Sequence, residues 1–356
     1  MKDEEEPGPA ALQHDLFGEP IAAPANKAPK ASNAAAKGSK IKPQLPSDEV
    51  LALAAALPAQ ARLGCSSWSY PGWRGLVWDG EYAETLLSRH GLAAYDQQPL
   101  MRAISIDRGF YQPLTASQYQ RYASQVSADF RFTVKAPALV SDAQIRAEDG
   151  RGREANPAFL DPTLAVQQFI EPALEGLGSK IGALVFQLSP LSGSQLSRMN
   201  EQFERLERML DALPSLTSAA PEAAIAVEVR DPQWLQPRLV ELLRTQGATY
   251  CLGLHPKLPP IEDQLWLLRA LWPGPLVGRW NLNACHGPFG YADAEKKYGD
   301  FSRIIDPDPA TRAVLAKIIR GTTAAGRPAY VTVSNQAEGC GPLSVQALAR
   351  EIISPG

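Results

Sequence analysis

The chain has 356 residues, 45% of them apolar, with 38 acidic against 35 basic side chains for a formal charge of −3. That length accommodates one large α/β barrel with extra segments, or two ordinary domains. The charge excludes bulk basic attraction to nucleic acid, so any such contact needs a local patch. No apolar run approaches the length of a membrane span and no apolar leader opens the chain, so a cytoplasmic protein is expected. Cys65, Cys251, Cys285 and Cys340 include no C-x-x-C pair, which argues for reduced thiols rather than a disulfide scaffold or structural zinc.

Residues 1–48 are rich in Ala, Pro, Lys and Gly, carry an acidic cluster at Asp3–Glu6, and have almost no apolar periodicity. This is the composition of a disordered tail, leaving residues 49–356 as the folded domain. One interruption stands out, Leu12-Gln13-His14-Asp15-Leu16-Phe17-Gly18. Large apolar side chains in a polar tail have no core of their own and offer anchors to a partner's pocket. Gln13, Asp15, Leu16 and Phe17 fit a pattern that resembles the short peptide by which bacterial DNA-repair and replication proteins bind the sliding clamp. His14 stands where leucine is commonest. The alternative is that Leu16 and Phe17 dock on the chain's own folded domain.

From Leu51 onward, strand-like and helix-like segments alternate. Ala61–Ser66 is a short apolar strand, followed by the aromatic, Pro- and Gly-punctuated loop Ser66–Trp73. The pattern then predicts a helix over Glu81–His90, a strand over Ala103–Asp107, a helix over Ala116–Val126 and a strand over Phe130–Val134 that delivers Lys135. The polar segment Ser141–Pro157 is too long for an ordinary connection and suggests a lid. A helix over Thr163–Leu174 precedes the buried strand Ile181–Leu188 with Gln187, and helical spacing returns over Gln195–Leu213. Ala224–Arg230 is a strand whose side chains Glu228 and Arg230, two positions apart, leave the same face. Asp231-Pro232 stops it, and Trp234–Gln246 is helical. Strands over Ala248–Leu254, Leu276–Leu282 and Ala329–Val333 follow, separated by helices over Glu262–Leu271 and Ala310–Ile319 and closed by a helix over Leu343–Ile353. Eight strands alternating with eight helices predict a single (β/α)8 barrel of TIM type. An open doubly wound sheet would need a Gly-rich phosphate turn where Ser66–Trp73 stands.

Several segments together resemble the YecE-like family, a barrel group classed as domain of unknown function 72. They are Leu63-Gly64-Cys65-Ser66-Ser67-Trp68-Ser69-Tyr70-Pro71-Gly72-Trp73, Phe130–Pro137, Leu184–Leu188 with Pro190, Ala226–Arg230 with Trp234, and Val333-Ser334-Asn335. The likeness spans about residues 61–353 and implies a (β/α)8 barrel with a conserved mouth and no established reaction. The chain departs from the family pattern at Ser105 and Asp107, where a glutamate and an asparagine are usual, at Arg279-Trp280-Asn281-Leu282, where Arg-Leu-His-Gly is usual, and near Leu254, where an aspartate is usual. These changes leave a degenerate or altered site as one outcome.

In a barrel, chemistry sits at the C-terminal ends of the strands. The expected constellation is Lys135, Gln187, Glu228, Arg230, Arg279, Asp107 and Asn335. Its cations favour an anionic ligand, because guanidinium forks match phosphate and carboxylate geometry. Glu228 and Lys135 are the candidates for catalysis, Glu228 as an orienting group or as a general base. The alternative is a buried ion network that only fixes the strand ends. Trp68, Tyr70 and Tyr111 are candidates for stacking on a base or sugar, or else for packing. No metal and no cofactor are expected, since Cys285-His286 lacks a ligand at a usual spacing, and a Ser-His-Asp arrangement of Ser66 or Ser67 with His286 lacks a nucleophile elbow. The function anticipated is binding or processing of a phosphate-bearing ligand, nucleic acid among the possibilities. If it is an enzyme, it would be a hydrolase or lyase on an anionic substrate. The alternative is a non-catalytic accessory module of bacterial DNA metabolism recruited to the sliding clamp by its tail. Carbohydrate hydrolysis ranks last, since it needs two opposed carboxylates and only Glu228 is firm.

Overall fold

The structure is a computed structural model describing residues 40–146 and 152–354. The clamp-like residues Gln13, Asp15, Leu16 and Phe17 lie outside the described residues, as does part of the expected lid. Eight parallel strands close into one barrel in chain order. They are β1 (Ala61–Cys65), β2 (Ala103–Ile106), β3 (Arg131–Lys135), β4 (Ile181–Gln187), β5 (Ala224–Glu228), β6 (Thr249–Leu254), β7 (Leu276–Trp280) and β8 (Ala329–Val333). Each matches an expected strand to within a few residues.

Strand alternation sorts the apolar side chains into two populations. Leu63, Ile104, Phe132, Leu184, Val227, Leu252 and Val331 join the large core beneath the helices. Ala183, Val185, Ala226, Cys251, Val277 and Tyr330 form a separate, smaller cluster from the other face. Those small side chains suit the narrow interior of an eight-stranded barrel. Near the N-terminal ends of the strands, the buried Arg62 grips Asp129 through both terminal nitrogens, and Arg131 pairs with Glu222. These ion pairs brace that end of the barrel. The Gly64 position explains part of the β1 sequence: a Cβ there would lie 1.8 Å from the Ala103 carbonyl oxygen, so only glycine lets β1 and β2 approach.

Three features correct or extend the expected layout. Residues 40–48 are not a disordered tail: Ile41 is buried, Pro43 bridges to Trp78, and Ser47 caps a helix over Asp48–Ala56. That helix packs on the closing helix Gly341–Ile353, where Glu49 pairs with Arg350. The segment after β3 contains a helical turn over Ala138–Ser141 and an antiparallel pair, Gln144–Arg146 with Gly152–Ala155. It is anchored at its base, where Asn156 Nδ2 donates to the carbonyls of Leu139 and Asp142. A further helix, Tyr291–Tyr298, stands in the long connection after β7. Among the described residues, no helix is long and apolar enough to cross a membrane.

Candidate functional site

Barrel register brings residues that are far apart in sequence to one level. Gln187 lies directly across from Glu228 in the β4–β5 ladder, and Arg279 faces Gly253 on β6 and Thr332 on β8. Glu228 is fully buried, and both its oxygens meet guanidiniums at 2.7 Å: Arg230 Nη2 on Oε1 and Arg279 Nη1 on Oε2. Arg279 Nη1 also donates to Gln187 Oε1 at 2.8 Å, and Arg230 Nη2 reaches the same oxygen at 3.0 Å. The other arm of Arg279 donates to Asp107 Oδ2 at 2.6 Å, while Ser105 Oγ donates to Asp107 Oδ1, also at 2.6 Å. Asn281 Nδ2 completes the Glu228 shell at 3.3 Å. A planar guanidinium with several donors is suited to bridging two carboxylates in this way; a lysine is not.

Gly253 leaves room for this arrangement. A Cβ there would come within 3.2 Å of Glu228 Oε1 and 3.1 Å of Leu258. Lys135, at the end of β3, is buried with its ammonium 3.7 Å from the centre of the Phe110 ring, a cation–π contact that stabilises its charge away from water.

Electrostatics follows from these contacts. Burial pushes the Glu228 carboxyl upward, but Arg230, Arg279 and Lys135 outweigh it and hold the group below the ordinary carboxylate range. Burial also works against the Arg279 charge, yet Asp107 and Glu228 keep that guanidinium protonated far above its usual value. His255, just past β6, is driven from 6.5 to about 2 by burial and then by the positive charge of Arg230 and Lys257. It is therefore neutral, and because Nδ1 accepts the Lys257 amide hydrogen, its proton resides on Nε2.

Not every candidate joins this cluster. Asn335 is buried, but its Oδ1 accepts from the Trp73 indole at 3.3 Å and the Gly341 amide at 2.8 Å, fastening the β1 loop to the closing helix. Trp68 is buried, donates to the Leu87 carbonyl and packs edge-on against Tyr122. Tyr70 packs on Trp73 and Phe301. Tyr111 is 47% exposed and meets Phe110 edge-on, the most exposed ring of the three. Sequence reasoning assigned no role here to Ser105, Asn281, Gly253 and His255; Ser105 and Asn281 stand two residues from the named Asp107 and Arg279, and the place of Gly253 and His255 at the end of β6 was the available signal for the other two.

A second cluster lies in the connection after β7. Cys285, His286 and Asp306 bring a thiol sulfur, an imidazole nitrogen and a carboxylate oxygen within 4.8 Å of one another. Asp306 also holds the Lys297 ammonium at 2.7 Å and the Tyr298 hydroxyl at 2.9 Å.

Fold and site together define a (β/α)8-barrel protein whose C-terminal mouth carries a buried, guanidinium-rich network. The chain belongs to the family described as "Protein of unknown function DUF72", whose pattern it matches over residues 62–354. It is similar in structure to a DUF72 family protein of Enterococcus faecalis V583, with a TM-score of 0.54 and 15% identity, the match covering 83% of this chain and 96% of that one. It is likewise similar to a DUF72 family protein of Thermotoga maritima MSB8, with a TM-score of 0.50 and 17% identity over 82% of this chain and 97% of that one. At such identities the likeness speaks for the fold alone. No curated protein matches.

Proposed function

We propose that the C-terminal mouth of the barrel binds an anionic, phosphate-bearing ligand. One observation carries this: the buried cations Lys135, Arg230 and Arg279 gather at the C-terminal strand ends around Glu228, where their donors converge. An arriving phosphate would accept from these guanidinium and ammonium donors and be held by their positive charge. The neutral His255, with its proton on Nε2, adds a donor that does not change charge near neutral pH.

Binding accounts for the geometry better than acid–base catalysis by Glu228. A carboxylate with both oxygens engaged and its pKa depressed is a weak base. Its service is to hold Arg230 and Arg279 in place.

The charge balance makes two opposite expectations. Asp107→Asn removes a competing negative charge while leaving Arg279 its bond to Glu228, so phosphate affinity should rise about tenfold. Lys135→Gln removes a cation and should weaken it by a similar factor. Calorimetric titration with inorganic phosphate, a phosphosugar and a single-stranded oligonucleotide measures both, with thermal melts to verify folding. Unchanged or same-direction affinities in the two folded variants would refute the proposal. A salt-dependent oligonucleotide affinity that exceeds the phosphosugar's would assign the ligand to nucleic acid.

Recruitment through Gln13, Asp15, Leu16 and Phe17 is a separate proposal, resting on the peptide pattern alone. A labelled peptide of residues 8–22 should bind a bacterial sliding clamp and lose binding on Leu16→Ala/Phe17→Ala. Absence of binding by the parent peptide would remove it.

A further inference from the structure

We propose that Cys285, His286 and Asp306 form a zinc-binding site in the connection between β7 and β8, separate from the Glu228 network. The donor set is a thiolate, an imidazole and a carboxylate, the mixture a borderline-soft ion such as Zn²⁺ prefers and a hard ion such as Mg²⁺ does not. The spacing also fits. Zinc bonds of about 2.3 Å to sulfur and about 2.0–2.2 Å to nitrogen or oxygen put the ligand atoms of a tetrahedron about 3.4–3.6 Å apart. Asp306 Oδ2 lies 3.7 Å from Cys285 Sγ and 3.4 Å from His286 Nε2. Three protein ligands leave the fourth position of a tetrahedral ion open.

Local structure holds these donors together without the ion. Cys285 and His286 sit in a helical turn capped by Asn283, whose Oδ1 accepts the Cys285 amide. Asn283 Nδ2 donates to the carbonyls of Asp306 and Ala337, tying this turn to the irregular segment that carries Asp306 and to the segment after β8. Tyr298 donates to Asp306 Oδ2 at 2.9 Å, so it can serve as the outer hydrogen-bonding partner of that carboxylate, while its 2.7 Å contact with His286 Nε2 gives way when that nitrogen takes the ion. The Lys297 ammonium now neutralises Asp306, but its side chain is half exposed and can swing into solvent. Zinc entry displaces that ammonium and releases the Cys285 proton to solvent, leaving a thiolate–zinc bond. Tyr291, on the same short helix as Lys297 and Tyr298, packs on His255, so the site connects directly to the edge of the mouth.

Cys285 is the one exposed cysteine of the four; Cys65, Cys251 and Cys340 are buried. This gives a clean readout on the full-length, tag-free protein. Zinc should slow alkylation of Cys285 by iodoacetamide, with protection lost on chelation. Cobalt should bind in a one-to-one ratio and give a thiolate-to-metal charge-transfer band. Cys285→Ser should abolish that band, and Asp306→Asn should weaken zinc binding by more than the about 10- to 100-fold that loss of an outer partner costs. Lys297→Ala, which removes the competing cation, should tighten it. Cys285→Ser alters an exposed side chain, and circular dichroism checks that Asp306→Asn is folded. The proposal fails if the parent protein takes up neither metal, if the charge-transfer band persists in Cys285→Ser, or if zinc leaves alkylation unchanged.

Discussion

Replacing Glu228 by glutamine keeps the shape of the side chain and removes its charge. In the parent, one carboxylate oxygen faces Arg230 and the other Arg279, each at 2.7 Å, in a place with no access to water. Glutamine offers a single acceptor and turns an amide N–H toward the second guanidinium. Both guanidiniums therefore lose the Glu228 charge, and breaking a buried ion pair in this way costs about 3–5 kcal/mol. At about 2–4 °C per kcal/mol for domains somewhat smaller than this one, the melting temperature should fall by about 6–20 °C. The substitution also makes the network more positive by one unit, so inorganic phosphate should restore more stability to the variant than it adds to the parent. Acid should expose the same group. A carboxyl whose folded pKa is depressed stabilises above its unfolded pKa, and that contribution is lost as pH falls through the lower folded value; Glu228→Gln should lack that limb. Thermal melts across pH with and without phosphate measure all three effects. A loss under about 1 kcal/mol, with equal phosphate responses, would show that the Glu228 charge is not what holds the two guanidiniums.

Other consequences are more local. His255 titrates near 6.5 when unfolded and near 2 when folded, so the unfolded chain binds the extra proton across that window and stability rises with pH up to about 6.5. Between pH 6.5 and 5 this amounts to about 2 kcal/mol, and His255→Asn should flatten the slope in urea-unfolding measurements; an unaltered slope would contradict a neutral His255. Gly64→Ala should destabilise by about 3 kcal/mol or more, because the added methyl meets the backbone of β2 rather than a movable side chain. Full stability of that variant would mean that β1 and β2 can separate.

The barrel was legible because its signal is repeated: eight apolar strands at regular intervals admit few other arrangements. The level at which the site residues gather was also readable, since Lys135, Gln187, Glu228 and Arg279 each end an apolar run. Their pairing was not. That Arg279 bridges Glu228 and Asp107 depends on strand register around a closed circle, which periodicity does not encode. This pairing also reduces the net charge of the mouth below what a count of its cations suggests. The first folded residues were misassigned because Ile41 and Pro43 owe their order to Trp78 and its neighbours, not to any local pattern. The 291–298 helix was missed because it is short and polar, and the Cys285–His286–Asp306 cluster because its third member arrives from beyond that helix. Trp68 and Tyr70 show the opposite effect: aromatic residues in a loop invite a ligand on paper, yet most of their surface serves to pack the barrel's first connection.

The most direct measurement is a crystal structure of the protein grown with tungstate, a heavy-atom stand-in for phosphate, read by anomalous scattering. The account predicts an ordered peak at the C-terminal mouth within hydrogen-bonding reach of Arg230 and Lys135, weakened in Lys135→Gln and strengthened in Asp107→Asn. Tungstate bound only elsewhere, with the Glu228–Arg230–Arg279 network unchanged and closed, would make the cations structural and contradict an anion-binding mouth.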